Sequence, residues 1–256
     1  MKVLSYNVNG IRSALSKGLV DYLAFADADV VCLQETKAES AQVDLSSIEA
    51  LGYKSYWFSA AKKGYSGVAI LSRLEPQFVD YGCGDPEWDR EGRVIRADFP
   101  QFSVMSVYFP SGSSGDHRQE AKFRFLDFFH PYVQQIRQQY PHLLVCGDYN
   151  ICHKPIDIHD PKSNKDSSGF LPEERAWMDQ FFQDGFTDTY RHFYPETAHQ
   201  YSWWSFRANA RNNNKGWRID YIAASKALVA HLKEAGITQE ARHSDHCPVW
   251  VELSRS

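Results

Sequence analysis

The sequence has no apolar stretch near the roughly 20 residues that a membrane-spanning helix requires. Its start, MKVLSYNVNG, lacks the longer apolar core and small-residue cleavage site of a secretory signal. A cytoplasmic protein with no membrane partner is therefore expected. Cysteine is scarce. Cys32, Cys83, Cys146, Cys152 and Cys247 form an odd set of five without a C-x-x-C pair. Cys32, Cys146 and Cys247 lie in or beside apolar runs, where a thiol behaves as a small buried hydrophobe. This argues against a disulfide framework and against a structural zinc site. No charge sign dominates: 28 Lys and Arg face 32 Asp and Glu, for a net −4. Proteins that coat nucleic acid are usually strongly basic, so that class is disfavoured, whereas an enzyme with a local basic face is not. There is no phosphate-cradling P-loop, no G-x-S-x-G elbow and no H-E-x-x-H. Nucleotide-driven phosphotransfer, serine hydrolysis and zinc proteolysis are poor readings for that reason. Internal repeats, low-complexity tracts and long linkers are missing as well.

What is present is a globular composition. Hydrophobic residues make up 43% of the chain, too many for wholesale disorder. Short runs rich in Val, Ile and Leu predict strands at Val3–Ser5, Val30–Leu33, Gly67–Leu71, Val94–Ala97, Ser103–Tyr108, Leu143–Cys146, Ile219–Ala223 and Pro248–Leu253. Helical spacing predicts helices at Leu15–Ala26, Arg118–Gln139 and Pro172–Asp184, and a further one at Ser225–Ala235. The Pro-Glu-Glu start of the third suits a helix N-terminus. Strand and helix signals alternate throughout. They point to one α/β domain over residues 1–256, with two sheets covered by helices.

Several apolar runs end in a cluster of Asn, Asp, Glu or His. Val3–Tyr6 runs into Asn7-Val-Asn-Gly10, and Val30–Leu33 into Gln34-Glu-Thr-Lys37. Leu143–Cys146 runs into Gly147-Asp-Tyr-Asn150. Asp220 sits inside a strand-like run, and Ser244-Asp-His246 precedes the last one. A lone strand-end acid is usually a turn or cap residue. Repeated clusters suggest instead one rim of carboxylates, amides, a Tyr and a His, because half-buried carboxylates are costly unless paired or metal-bound. Oxygen ligands of this kind suit Mg²⁺ or Mn²⁺. With an Asp to handle water and a His to donate to a phosphate oxygen, the parts suit phosphodiester hydrolysis.

The ordered blocks Asn7-Val-Asn-Gly-Ile-Arg12, Leu33-Gln-Glu-Thr-Lys37, Gly64-Tyr-Ser-Gly-Val-Ala69, Glu91-Gly-Arg93, Tyr108-Phe-Pro-Ser-Gly112 and Gly147-Asp-Tyr-Asn150 carry a family resemblance. So do Ser168-Gly-Phe-Leu-Pro-Glu-Glu-Arg175, Tyr201-Ser-Trp-Trp204, Asn209-Ala-Arg211, Gly216-Trp-Arg-Ile-Asp-Tyr221 and Ser244-Asp-His-Cys-Pro248. Together they span nearly the whole chain, which resembles the exonuclease III family of apurinic/apyrimidinic (AP) endonucleases. The resemblance implies a four-layer αββα sandwich of the deoxyribonuclease-I-like type. It also implies Mg²⁺-dependent cleavage 5′ to abasic sites in duplex DNA, by a monomer, with Mn²⁺ as a substitute ion. Blocked 3′ ends would be further substrates, through 3′-phosphodiesterase, 3′-phosphatase and 3′→5′ exonuclease activities.

Roles follow from the same resemblance. Glu35 matches the principal metal carboxylate, with Asn7 as a ligand or ligand-orienting amide. Asp148 matches the acid that handles the attacking water, positioned by Asn150. Tyr108 and His246 would meet the phosphate, and Asp220 would orient His246. Asp245 would support a metal or the His. Asp148, Asn150 and His246 are also counted near the metal, and whether His246 or Asp148 is the general base stays open. Trp203, Trp217 and Ile219 would line a tight apolar pocket for a flipped-out abasic sugar, with a small Ser168 leaving its entrance clear. Arg93, Asn209 and Arg211 are expected at the substrate, and Arg207, Lys215 and Arg218 share the Arg/Asn-rich segment expected to meet phosphates. Asn9 stands where some relatives have Asp. Three other readings are a 3′-end-cleaning enzyme with weak abasic cleavage, an inactive binding protein, and a phosphoesterase for lipid or inositol phosphates. The intact set of acids and His246 speaks against the second, and the Trp217 and Ser168 blocks speak against the third.

Overall fold

Strands buried on both faces read as continuous apolar runs, and these occupy the centre of the molecule. The computed structural model describes residues 1–254. One sheet holds β1 (Lys2–Asn7), β2 (Val30–Gln34), β3 (Lys54–Phe58), β4 (Val68–Ser72), β11 (Leu232–Ile237) and β12 (Val249–Leu253), in the order β11-β12-β1-β2-β4-β3. The other holds β5 (Phe78–Tyr81), β6 (Val94–Asp98), β7 (Ser103–Tyr108), β8 (Leu143–Asp148), β9 (Phe186–Asp188) and β10 (Asp220–Ser225), in the order β5-β6-β7-β8-β10-β9. Each sheet has one parallel pair, β1–β2 and β7–β8, and is otherwise antiparallel.

The period-2 alternation of strand side chains sorts the core into layers. Val3, Val30, Cys32 and Ile70 of the first sheet meet Ile95, Val104, Leu144 and Cys146 of the second. Their neighbours Leu4, Tyr6, Val31 and Leu33 face α1 (Ile11–Ser16), α2 (Leu19–Ala26) and α3 (Ser46–Ala50). On the far side, Met105, Val107 and Val145 pack with α4 (Pro86–Arg90), the long α5 (Asp116–Gln139) and α6 (Pro172–Gln183). The result is the four-layer αββα sandwich. A seventh short helix, α7 (Thr189–Phe193), follows β9. All five cysteines are free. No helix among the described residues is long and apolar enough to cross a membrane.

Two expectations about helices need correction. The segment predicted as one helix at Leu15–Ala26 is broken where Gly18 takes a φ of 90°, separating α1 from α2. The helix predicted at Ser225–Ala235 is a short 3-10 segment, Lys226–His231, followed by β11. β11 is an edge strand with a register shift between Leu232 and Glu234 and exposed Lys233 and Glu234. Such features protect an edge and also blur the strand's sequence signal.

Candidate active site

Strand register assembles the site. Across the second sheet, Tyr108 pairs with Asp148, and Asp148 pairs with Asp220. β7 and β8 are parallel and end together, while antiparallel β10 begins at the same edge. The three side chains therefore come from adjacent strand ends. In the first sheet, Asn7 pairs with Gln34, which delivers Asn7 and Glu35 to the corresponding edge. The seam between the sheets is closed by Asn7, whose Nδ2 donates to Glu35 Oε1 at 2.8 Å and to Asp148 Oδ2 at 2.9 Å. Its Oδ1 accepts from the Asn9 amide. Asn7 thus orients two acids, and its Oδ1, which accepts one hydrogen bond, keeps a second lone pair.

Glu35 and Asn150 both sit at positive φ, 50° and 52°. Such backbone is uncommon outside glycine and must be held by its surroundings. Around Glu35 that hold comes from the carbonyl oxygens of Gly67 and Ser66, which accept from the Thr36 and Lys37 amides, and from the Gly10 amide, which donates to Glu35 O. The Asn150 amide donates to Asp148 Oδ1 at 2.8 Å, and its Nδ2 reaches both Phe109 O and Asp148 Oδ2. Asp148 therefore accepts hydrogen bonds on both oxygens.

His246 completes the row. Its Nδ1 lies 2.9 Å from Asp220 Oδ2, and its Nε2 lies 3.8 Å from Asp148 Oδ2. Burial alone would lower its pKa, but the Asp220 and Asp148 carboxylates outweigh burial and carry it up to about 10. Burial pushes the Asp148 carboxyl up, with Asp220 and Glu35 adding to the rise and His246 opposing it. Tyr108 is also raised, first by burial and then by Glu35 and Asp148, so its hydroxyl stays a proton donor.

Among the described residues, Glu35, Asp148 and His246 bring potential ligand atoms within 4.8 Å of one another. The atoms that could meet an ion there are the Glu35 and Asp148 carboxylate oxygens and an imidazole nitrogen of His246. Asp245 does not join this group. Its oxygens accept from Asn9 Nδ2 at 2.8 Å, Ser244 Oγ at 3.1 Å and Trp203 Nε1 at 3.0 Å. Burial would raise its pKa, but His246, Asn9, Trp203 and Ser244 hold it below the usual carboxylate value. The Asn at position 9 has a physical reason here: it donates to Asp245, where an Asp would repel it.

A cleft of about 370 Å³ opens from these groups. Ser168, Gly169, Trp203, Trp217 and Ile219 line it together with Glu35, Tyr108, Asp148, Asn150, Asp245 and His246. The Trp203 and Trp217 rings meet edge to face, with centroids 6.0 Å apart. Behind them Cys152, Ile158, Phe170 and Ile219 form a small apolar cluster. Of the residues expected at the chemistry and at the pocket, all but Asn7 and Asp220 line this one cavity, and those two sit behind it bonded to Asp148 and His246.

The expected basic contacts divide differently. Arg93 is 1% exposed, stacks over Tyr108 with its guanidinium 4.9 Å from the ring centre, and donates to Tyr108 O and Tyr65 Oη. It supports Tyr108 from behind. Arg211 lies over Trp204 and donates to the carbonyls of Gln239, Ala241 and Ser244, which secures the loop leading into Asp245. Arg218, expected among the phosphate contacts, is 1% exposed and is held by Asp157 at 2.8 Å and Asp188 at 2.7 Å. Its position inside the strand entry turns it inward, which corrects that expectation. Asn209 is exposed at positive φ, bonded to Asn212, and does not line the cleft. Arg12, Lys62, Lys63, Arg207 and Lys215 remain exposed.

The sequence reading passed over Ser202. Its Oγ donates to Asp220 Oδ2 at 2.6 Å and accepts from the Ile219 and Asp220 amides at 3.0 Å each. It fixes the acid that fixes His246. Its place in the Tyr201-Ser-Trp-Trp204 block was the available signal.

Comparison with known proteins agrees with this geometry. The chain is 43% identical over 250 residues to an exodeoxyribonuclease of Bacillus subtilis, covering 97% of this chain and 98% of that one. It is 41% identical over 256 residues to the DNA repair nuclease APEX1 of Danio rerio, covering 99% of this chain and 82% of that one. An AP endonuclease structure from Archaeoglobus fulgidus superposes with a TM-score of 0.91 at 29% identity over the full length of both chains. Residues 4–246 match the Endonuclease/Exonuclease/phosphatase family, to which this chain belongs.

Proposed function

We propose that this protein is a DNA-repair AP endonuclease that hydrolyses the phosphodiester 5′ to an abasic site, using Mg²⁺ or, in substitution, Mn²⁺. One observation carries the reading. The row Tyr108–Asp148–Asp220, with His246 and with Glu35 opposite, opens directly onto an apolar cleft walled by Trp203, Trp217 and Ile219. A flipped sugar without a base fits such a pocket, which excludes by shape and offers a base little to bond. Asp148, steadied by Asn7 and Asn150, orients water and takes its proton. The Tyr108 hydroxyl and the His246 imidazolium donate to phosphate oxygens, where charge grows as the new P–O bond forms and the 3′-oxygen departs. The Glu35 and Asp148 oxygens suit a hard divalent ion, which when bound would polarise the phosphate.

The same phosphate-handling groups serve 3′-phosphodiester and 3′-phosphate release and 3′→5′ exonucleolysis. Inositol polyphosphates are a poor fit because, among the described residues, no Lys or Arg lines the cleft. Residues 1–256 act as one catalytic domain and as a monomer, and the last two of them lie outside the described residues. A labelled duplex with one tetrahydrofuran abasic analogue tests the reading. Rapid incision in Mg²⁺ that stops with EDTA is expected. Release of 3′-phosphate without incision would overturn it.

A further inference from the structure

A lysine inside an apolar helical stripe is unusual, and Lys122 is one. It sits on α5 one turn before Phe125 and Leu126, and it is fully buried. Its ammonium meets Glu174 Oε1 at 2.5 Å. Glu174, in the first turn of α6, is fully buried too. Burying two charges is costly, and a hydrophobic pair often replaces them at no loss of stability, so stability alone is a weak reason for their presence.

Their remaining bonds point to the cleft. Lys122 Nζ also donates to Asn150 O at 2.7 Å. Glu174 Oε2 accepts from the Gly169 amide at 2.6 Å and the Leu171 amide at 3.0 Å, and Oε1 also accepts from Gln119 Nε2. One ion pair therefore grips both Asn150, which holds Asp148, and the 168–171 turn, which walls the pocket. The turn has no slack against its neighbours. A Cβ added at Gly169 would come within 3.0 Å of Asn150 O and 3.1 Å of the Trp217 ring.

We propose that the Lys122–Glu174 ion pair is a positioning device that sets the gap between the 168–171 turn and Trp217, and with it the preference for a nucleotide lacking a base. This rests on the abasic-site reading above. The pair touches no substrate. It acts through Ser168 and Gly169 on one side and through Asn150 on the other.

The test uses the double variant Lys122→Met/Glu174→Gln, which removes both charges together and leaves neither buried alone. Its fold is checked by circular dichroism and a cooperative melt. With the full chain in Mg²⁺, incision of the tetrahydrofuran duplex is compared with 3′-release of intact nucleotides. The abasic-to-intact ratio of kcat/KM should fall about tenfold, the scale expected of a sub-ångström misplacement. A purely structural role would lower both activities by one factor and leave the ratio unchanged. In 5-fluorotryptophan-labelled protein without DNA, the Trp217 resonance (identified with Trp217→Phe) should move, while that of Trp250, on β12 of the other sheet, should not. A folded double variant with an unmoved Trp217 resonance, or with an unchanged ratio, overturns the proposal. If the unaltered protein does not incise the abasic duplex, the functional reading fails by itself, and the Trp217 resonance alone decides the positioning role.

Discussion

Replacing Asp220 with Asn changes one charge and almost no volume, and it isolates what holds the His246 proton. In the native site Asp220 Oδ2 receives both Ser202 Oγ and His246 Nδ1. An Asn oxygen can take that position and keep both bonds. Its amide nitrogen then falls at the Oδ1 position, which is buried and has no partner. That position is unpaired in the native protein too, so the exchange adds no new unsatisfied site and the variant should fold. The larger effect is electrostatic. Two unit charges about 4 Å apart interact by about 4 kcal/mol at an effective dielectric of about 20. At about 1.36 kcal/mol per pH unit, that is roughly three units of His246 basicity. On the proposed reading His246 acts in its charged form, so activity should be lost as pH rises through its folded-state pKa, which is about 10 in the native site. In Asp220→Asn the alkaline limb of the kcat/KM profile should descend to about pH 7. Loss of a preorganised donor also predicts about 10²–10³ lower kcat at pH 8, with partial recovery near pH 6. The assay is incision of the tetrahydrofuran duplex in saturating Mg²⁺ from pH 5.5 to 10. A folded Asp220→Asn protein whose alkaline limb coincides with the native one would refute the assignment of the His246 proton to Asp220.

Ser202→Ala removes the acceptor for two buried amides and a donor to Asp220, and should cost about 2–5 kcal/mol in urea unfolding at 25 °C. Gly147→Ala would drive a Cβ into the Val107 carbonyl between β7 and β8. It should lower stability by about 1–3 kcal/mol and reduce incision beyond what the folded fraction explains, because Tyr108 and Asp148 are the adjacent pair. Asp157 gives an acid-stability signature. Burial would raise its pKa, but Arg218 and Arg191 outweigh burial and hold it at about 2. The resulting contribution, about 2 kcal/mol, is present above the unfolded-state value near 4 and is lost as pH falls towards 2. Denaturant midpoints measured between pH 5 and pH 2 should therefore drop in that window, and the drop should be smaller in an Asp157→Asn protein.

Central strands were legible because both faces are buried. Ser103–Tyr108 was read with the bounds it has as β7. The edge strands β3, β5, β9 and β11 were missed, since half-exposed strands carry mixed polarity and borrow their hydrogen bonds from a neighbour. The acids at strand ends stood out as expensive groups in repeated places. What placed them together, the register Tyr108–Asp148–Asp220, is a long-range pairing that no local pattern encodes. Direction was equally hidden. Arg218 and Arg207 look alike in the Arg/Asn-rich segment, yet one is buried between Asp157 and Asp188 and the other is exposed. Ser202 was obscured by the aromatics around it, although one hydroxyl there serves three partners.

β1 is paired on one side with β2 and on the other with β12, and Asn9 reaches across 236 residues to Asp245. His246, proposed to carry positive charge at the phosphate, arrives just before β12. During synthesis the first residues of the site therefore wait for nearly the last. A nascent chain that has not yet released residue 253 from the ribosome leaves β1 with an open edge and the site without its imidazolium. Such pairings across the whole chain form slowly, after the local elements. Capacity to cut DNA therefore switches on in one late step, when the final strand docks, and incomplete chains should be silent on DNA.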